Sequence, residues 1–434
     1  MKILVFVILI SLLDLSAAVE CDKTPKNDEL RLKKDMLCNY DKSVRPLGGS
    51  KNATLVKVKM VLKSYDYLDY SNKIDVLVWM VMSWTDDHFK WNPQEYGNLK
   101  IFYEMSDAIW TPDLALYNSE MKESSCETTN CVIDSNGLVI CVPPCQYTGH
   151  CAGSFKNWPY DRQNCTLTFG AWINTGEEIN FFGAKNTVDS QDSLLNHDWK
   201  LLSITMKKNT GNYSCCPNQT FPSLRYNLIL ERHSSTYTVY LLIPTLVMVL
   251  INIISLLMSP RGNERWILIA VSFIGHIMFL QQLSWTVPKN GATIPSILIF
   301  YRDSTSIIAI MILNTVIVKL LLDLQCDVPV WLSSPVVVVK ESAAGKLIVS
   351  EIGSKNMERI EEVADDDTAI LVEPKPSNNK NSVLWKFLAN LIDRLCLIAV
   401  ILTYFFLIIL LVPEDYASAA DLPSIEFGSA TTQN

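Results

Sequence analysis

The sequence predicts an extracellular β-sandwich followed by a four-helix transmembrane bundle. Three observations predict it. Residues 19–235 alternate short β-branched and aromatic runs with turn signals. Four apolar runs follow, at 237–258, 266–286, 294–323 and 388–412, each near the ~20 residues that cross a bilayer. Ten of the twelve cysteines (Cys21, Cys38, Cys126, Cys131, Cys141, Cys145, Cys151, Cys165, Cys215 and Cys216) precede the first run, an even number suited to disulfides.

Residues 1–18 read as a secretory signal. Lys2 precedes the apolar run Ile3 to Leu13, and Ser16-Ala17-Ala18 offers small residues for cleavage. That run is too short to span a bilayer, so the domain after it faces an oxidising lumen. Secretion favours disulfides over zinc for the cysteine cluster, whose spacing matches no familiar zinc pattern. Cys326 and Cys396 lie later and read as free thiols. No metal or cofactor is expected. The sequons at Asn52, Asn164, Asn212 and Asn218 all fall on the lumenal side and are candidate glycosylation sites. With 434 residues, 49% of them hydrophobic, the chain can hold one sizeable domain and a membrane bundle. A formal charge of -8, with no basic aromatic stripe, argues against nucleic acid as a partner.

Within the sandwich, Val56 to Leu62 and Ile74 to Trp79 carry partial two-residue alternation and read as strands. Turn signals stand at Gly48-Gly49, Asn136-Gly137 and Thr210-Gly211. One hairpin can be read in detail. A three-residue loop Ser135-Asn136-Gly137, with Gly137 left-handed, places Val132 opposite Ile140 and Cys131 opposite Cys141. Val132, Ile140 and Val142 then share one face, and the two cysteines the other. Cys126 with Cys145 extends the same hairpin and leaves Cys21 with Cys38, although ten cysteines permit many connectivities. No GxSxG, HExxH or P-loop string appears, so the chain is not read as an enzyme. Asp86-Asp87-His88 reads as a solvated turn.

With the amino terminus outside, four crossings return the carboxyl terminus outside. Residues 236–323 hold the first three spans, 324–387 a cytosolic loop, 388–412 the fourth span, and 413–434 an extracellular tail. Arg261 and Arg265 after the first span fit the cytosolic side. The second span carries Glu264, Arg265, His276, Gln281 and Gln282, and such polar groups turn toward protein or water. Helical spacing sets Glu264, Ile267, Val271, Ile274, Met278, Gln281 or Gln282, and Trp285 on one stripe.

Several strings carry a family likeness. They are VWMVMSWTDDHFKWNP (78–93), IWTPDLALYNS (109–119), the loop of thirteen residues between Cys151 and Cys165, LTFGAWINTG (167–176), YSCC (213–216), YLLIP (240–244) and LIDRL (391–395). On these the chain resembles the pentameric Cys-loop ligand-gated ion channels, and an α-type nicotinic acetylcholine receptor subunit among them. The resemblance implies a ligand-binding outer domain and sites between subunits for acetylcholine or a related quaternary ammonium. Tyr117, Trp172, Tyr213 and Phe221 then form the principal side, and Trp79, Val132, Ile140 and Val142 the complementary side. A quaternary ammonium donates no hydrogen bond, so aromatic faces hold it by cation–π attraction, each worth roughly 0.5–2 kcal/mol.

The resemblance also implies bridges Cys151–Cys165 and Cys215–Cys216. Adjacent Cα atoms sit about 3.8 Å apart, below the usual disulfide span of about 4.4–6.8 Å, so a vicinal bridge distorts its peptide and stiffens the loop. Arg232, Asp69, Pro159 and Asp161 are the implied coupling residues between ligand domain and spans. The second span is the implied pore lining. Glu264 forms an acidic ring that attracts cations, Arg265 points away from the axis, and Ile274 forms a hydrophobic gate. The implied setting is a heteropentamer with four other subunits, multi-pass in the plasma membrane at a synapse.

Two departures stand out. The family's tyrosine after the cysteine pair is replaced by Phe221, one residue further on. Small hydroxyl residues usual in the pore are replaced by Ile267 and Val271, and an acid frequent at the outer mouth by Trp285. Five copies give an apolar tube that opposes conduction by dewetting. Either the subunit conducts in mixed pentamers, or it is a poorly conducting or non-conducting assembly and modulatory subunit.

Overall fold

Period-two burial builds the first unit. In β1 (Thr54–Leu68) Val56, Val58, Met60 and Leu62 are fully buried, and in β2 (Lys73–Lys90) Ile74, Val76, Val78 and Met80 follow the same alternation. The structure is a computed structural model and describes residues 27–46, 53–120, 125–190, 193–213, 215–289, 293–324, 326–342 and 380–411. The expected signal, Gly48-Gly49, Cys21, Asn52, most of the cytosolic loop and the tail lie outside these residues.

The remaining strands are β3 (Ile101–Met105), β4 (Leu114–Leu116), β5 (Ser125–Cys126), β6 (Asn130–Asp134), β7 (Asn136–Cys141), β8 (Pro144–His150), β9 (Arg162–Ala171), β10 (Ile179–Asp189), β11 (Trp199–Tyr213) and β12 (Cys216–Arg232). One sheet runs β10-β1-β2-β7-β6-β3, with β8 pairing β2 and β5. The other runs β11-β12-β9-β4. The two sheets form a β-sandwich. Trp84, Phe102, Phe169, Phe181, Tyr226 and Leu228 fill its interior. Phe169 makes edge contacts with Tyr147 and Tyr226, at ring separations of 4.9 and 5.7 Å. A short helix, α1 (Asp28–Leu37), is capped by Asn27 and buries Leu32.

The β6–β7 hairpin pairs Val132 with Ile140, and Gly137 takes φ +79° at the turn. Disulfides join Cys131 to Cys141, Cys126 to Cys145, and Cys151 to Cys165. Cys126 and Cys145 pair between β5 and β8, a separate ladder rather than an extension of the β6–β7 hairpin. Cys38 is disulfide-bonded.

Two local expectations need correcting. Thr210-Gly211 is not a turn: both residues lie in β11, opposite Pro222 and Phe221. The strand runs on because β12 pairs with it along nearly its whole length. Asp86-Asp87-His88 is not a solvated turn either, since all three residues belong to β2 and Asp86 is buried. Its carboxylate accepts from Tyr40 Oη and His88 N, each at 3.0 Å, and this makes burial tolerable.

The second unit holds Phe155–Asp161 and the described residues from Ser234 on. Its helices are α2 (Ser235–Leu257), α3 (Asn263–Thr286), α4 (Ser296–Asp323), α5 (Val330–Glu341) and α6 (Lys380–Leu411). Among the described residues, α2, α3, α4 and α6 are long and apolar enough to cross a membrane. Polar side chains of α3 turn into this bundle. Arg265, with no exposed side-chain area, forks onto Asp393 of α6 at 2.8 and 3.0 Å and donates to Thr315 Oγ1 of α4 at 3.0 Å. Asn314 adds a bond to Asp393 at 2.9 Å. His276 Nε2 lies 2.6 Å from Ser304 Oγ, which lies 2.8 Å from Tyr404 Oη, and Asn252 donates to that same oxygen at 2.6 Å. One hydrogen-bonded chain thus touches all four spans, with few polar groups left unsatisfied in the apolar interior.

The tip of the cystine loop belongs to this second unit. Trp158 meets the Tyr237 ring edge-on at 5.2 Å, and Tyr160 Oη lies 2.9 Å from Thr238 Oγ1. Ser296 N donates to Lys156 O at 2.9 Å, so the loop tip also holds the start of α4.

Candidate functional site

A pocket of about 270 Å³ is lined by Tyr117, Ala171, Trp172, Tyr213 and Phe221. Three pieces of chain build it. The segment after β4 brings Tyr117, whose backbone N–H donates to Thr168 O at 2.8 Å. Its phenol lies over Gly170 in β9, where any Cβ would run into the ring. Tyr117 Oη donates to Ala171 O at 2.8 Å, which fixes the ring. Burial, aided by Tyr213 and Asp113, raises its pKa above the ordinary tyrosine value, so it stays a neutral donor at pH 7.

The end of β9 brings Trp172, which is 54% exposed. The Asp113 carboxylate accepts from the N–H groups of Trp172 and Ile173 at 3.1 and 3.2 Å and holds this turn. Further along, Glu178 accepts from Thr175 N and Asn174 Nδ2, and these bonds hold its carboxyl below the usual range.

The β11–β12 hairpin brings the third side. Tyr213 pairs with Cys216 and Gly211 with Phe221 across the strands. The Tyr213 and Phe221 rings meet edge-on at 5.4 Å. None of the five lining residues carries a formal charge at pH 7, so the wall offers π faces and a hydroxyl. The sulfurs of Cys215 and Cys216 lie 2.8 Å apart, outside the bonded distance of about 2.05 Å, and stand as neighbouring thiols. Hydrogen bonding to Cys215 raises the Cys216 pKa.

The other expected ligand residues lie on the larger sheet. Trp79 is 46% exposed and Val142 38%. Val132 and Ile140 are half-buried, and on the opposite face Cys131 and Cys141 are buried. Within one chain these four residues do not reach the aromatic pocket, which the smaller sheet carries.

Along α3 the expected stripe stands outward. Ile267, Val271, Ile274, Met278 and Trp285 are exposed, as are Glu264, Gln281 and Gln282. Arg265, Ile269, Ser272, His276 and Leu283 form the buried face. The stripe therefore points away from the chain's own helices, and Arg265 points into them.

Of the expected coupling residues, Arg232 and Asp69 meet in the first unit at 3.1 Å. The Arg232 guanidinium also sits over the Trp199 ring, 4.3 Å from its centroid. Pro159 follows a cis peptide at the cystine-loop tip, and Asp161 is buried in the same segment. Asn212 and Asn218 are exposed, whereas Asn164 is buried in β9.

Comparison with known proteins bears on this arrangement. The family model described as the neurotransmitter-gated ion-channel ligand binding domain matches residues 29–234. Over that span the chain resembles the ligand-binding domain of neurotransmitter-gated ion channels. It is 27% identical over 267 residues to the human neuronal acetylcholine receptor subunit alpha-5, covering 61% of this chain and 56% of that one. It is 27% identical over 313 residues to acetylcholine receptor subunit alpha-like 2 of Drosophila melanogaster, covering 69% and 54%. It is 26% identical over 323 residues to the rat 5-hydroxytryptamine receptor 3A, covering 73% and 66%. The matches span little more than half the length of the first two relatives. These relatives are named as receptors and receptor subunits, and with four membrane-length apolar helices among its described residues this chain is a multi-pass membrane protein.

Some site residues were missed at the sequence level. Asp113 and Asn118 lie inside the string IWTPDLALYNS, yet only the fold reveals their work. Asn118 donates to His150 O and Thr166 O and accepts from Thr168 N, tying the Tyr117 segment to β9. Asp393 lies inside LIDRL, but its partner is 128 residues away.

Proposed function

We propose that this chain is a subunit of a pentameric, acetylcholine-type neurotransmitter-gated cation channel. The observation that carries the reading is the uncharged aromatic pocket formed by Tyr117, Trp172, Tyr213 and Phe221. A pocket of π faces attracts a quaternary ammonium, and the half-buried Tyr117 hydroxyl anchors its own ring to the backbone. Trp79, Val132, Ile140 and Val142 are the complementary-side residues this chain turns to its neighbour, and the neighbouring subunit's residues at the matching positions complete the site. A Cys215–Cys216 bridge, formed on oxidation, caps it. The Arg232–Asp69 pair and the Pro159–Asp161 tip carry closure of the site to the spans. Five copies of the α3 stripe line the pore, with Glu264 as the cation-attracting ring and Ile274 as the gate. Asn52, Asn164, Asn212 and Asn218 are the proposed glycan sites. The protein sits in the plasma membrane at a synapse with both termini outside.

A second reading is favoured by the stripe itself. Ile267, Val271, Ile274 and Met278 are all apolar and 51–68% exposed, so five copies make a tube that dewets. On that reading the subunit assembles into mixed pentamers and conducts little alone. Current recordings under acetylcholine and choline, with the chain alone and with other nicotinic-type subunits, test both. Small currents alone, and mixed receptors whose permeation changes on Ile267→Thr, are expected. Large currents from the chain alone refute the need for partners. A change in surface number without any change in permeation leaves the assembly role and removes the pore role.

A further inference from the structure

The ring of Trp79 already holds a cation. Lys63 Nζ stands 3.9 Å from its centroid, well within the ~6 Å reach of a cation–π contact. Val61 pairs with Trp79, and the β1–β2 register slips between Leu62 and Ser64. Lys63 is the residue that the slip inserts, and a bulge of this kind re-aims a side chain. The same strand carries Lys57 over the Phe182 ring, 6.0 Å from its centroid, and Lys59 paired with Asp189 at 3.1 Å. Lysines of β1 thus stand along this face, Lys59 neutralised by Asp189, whereas the aromatic pocket on the smaller sheet has no charged lining residue.

We propose that Lys63 closes the complementary face of this chain to cationic ligands, so that the chain serves a cation-binding interface only through its principal face. The claim rests on the aromatic-cage reading above. An ammonium fixed over a ring consumes the attraction that a ligand cation needs, and it repels a second cation within contact distance. A quaternary ammonium cannot offset that loss by donating a hydrogen bond. The partner implied is a different subunit of the same family, one whose complementary tryptophan carries no lysine. Identical copies put Lys63 into every interface, while a mixed pentamer confines it to interfaces that bind nothing.

The test is equilibrium binding of radiolabelled acetylcholine to membranes bearing the full chain alone, scaled to the amount of chain at the surface. Lys63→Gln binds about tenfold or more tightly than wild type. Lys63→Arg does not, and adding Trp79→Ala to Lys63→Gln removes the gain. Binding by Lys63→Gln no tighter than wild type, whether both bind or neither does, overturns the proposal. So does a gain that survives Trp79→Ala. A separate arm co-expresses the chain with a nicotinic-type subunit that has a complementary tryptophan and lacks the lysine. Trp172→Ala abolishes binding there if the aromatic cage is right. Binding that survives refutes the cage, whatever Lys63→Gln has done.

Discussion

Replacing Asp393 by asparagine strands a charge inside the bundle. Arg265 has no exposed side-chain area, and Asp393 neutralises it through two bonds of 2.8 and 3.0 Å. Asparagine keeps roughly the shape and one acceptor but removes the counter-charge. Removing one partner of a buried pair typically costs about 3–5 kcal/mol. Here Thr315 still accepts from Arg265 Nε, so the lower end, about 3 kcal/mol, is expected. For a unit of roughly 150–250 residues, each kcal/mol moves the midpoint by about 2–4 °C, so the shift is near 10 °C. The assay is thermal loss of monodisperse full-length protein in mild detergent. The double variant Arg265→Met with Asp393→Leu removes both charges and regains at least half of the loss, because a matched apolar pair has no desolvation cost to offset. Asp393→Asn shifting the midpoint by less than about 2 °C, or the double variant being as damaged as the two single losses added together, refutes the reasoning.

Other outcomes follow from the aromatic pocket. Gly170→Ala drives a methyl into the Tyr117 phenol, and acetylcholine affinity falls by about tenfold or more while the chain still reaches the surface; unchanged affinity contradicts the packing described. Oxidised receptor from cells takes up no iodoacetamide at Cys215 or Cys216 by peptide mass, and gains two labels after mild reduction. Labelling of both before reduction removes the bridge from the account. Glu178 has a depressed folded pKa, so its contribution to the Trp172–Glu178 turn is present above the ordinary glutamate range, about 4.3, and is lost as pH falls through the folded value. Taken relative to the intrinsic exchange rate at each pH, protection at Thr175 N falls on acidification below that range, and Glu178→Gln flattens the response. An equally steep response in Glu178→Gln sinks the assignment.

Much of the fold is legible in the chain because its signals are local. The four spans are written in hydropathy, and the β6–β7 hairpin in Asn136-Gly137 and its alternating flanks. The stripe on α3 is legible because helical spacing alone separates Ile267, Val271, Ile274 and Met278 from Arg265 and His276. What was not legible depends on distant partners. Asp86 looks like part of a polar turn until Tyr40, 46 residues earlier, supplies its hydrogen bond. Thr210-Gly211 looks like a turn because glycine is a poor strand residue, yet β11 tolerates it at the end of its sheet, where β12 alone holds it. Lys63 reaches Trp79 through a register slip that no composition signal marks. The principal aromatics were found through the strings that carry them, and the acid that positions Trp172 was inside one of those strings without a visible role.

The central claim is that ligand in the aromatic pocket opens a pore lined by α3. It is tested most directly by Ile274→Cys, in a background with Cys326 replaced by serine, co-expressed with a nicotinic-type partner. The measurement is the rate at which a charged thiol reagent blocks current with and without acetylcholine. The account predicts slow modification at rest and a rate at least tenfold higher under acetylcholine. A position that no reagent reaches in either state, in receptors that demonstrably contain the chain, contradicts it.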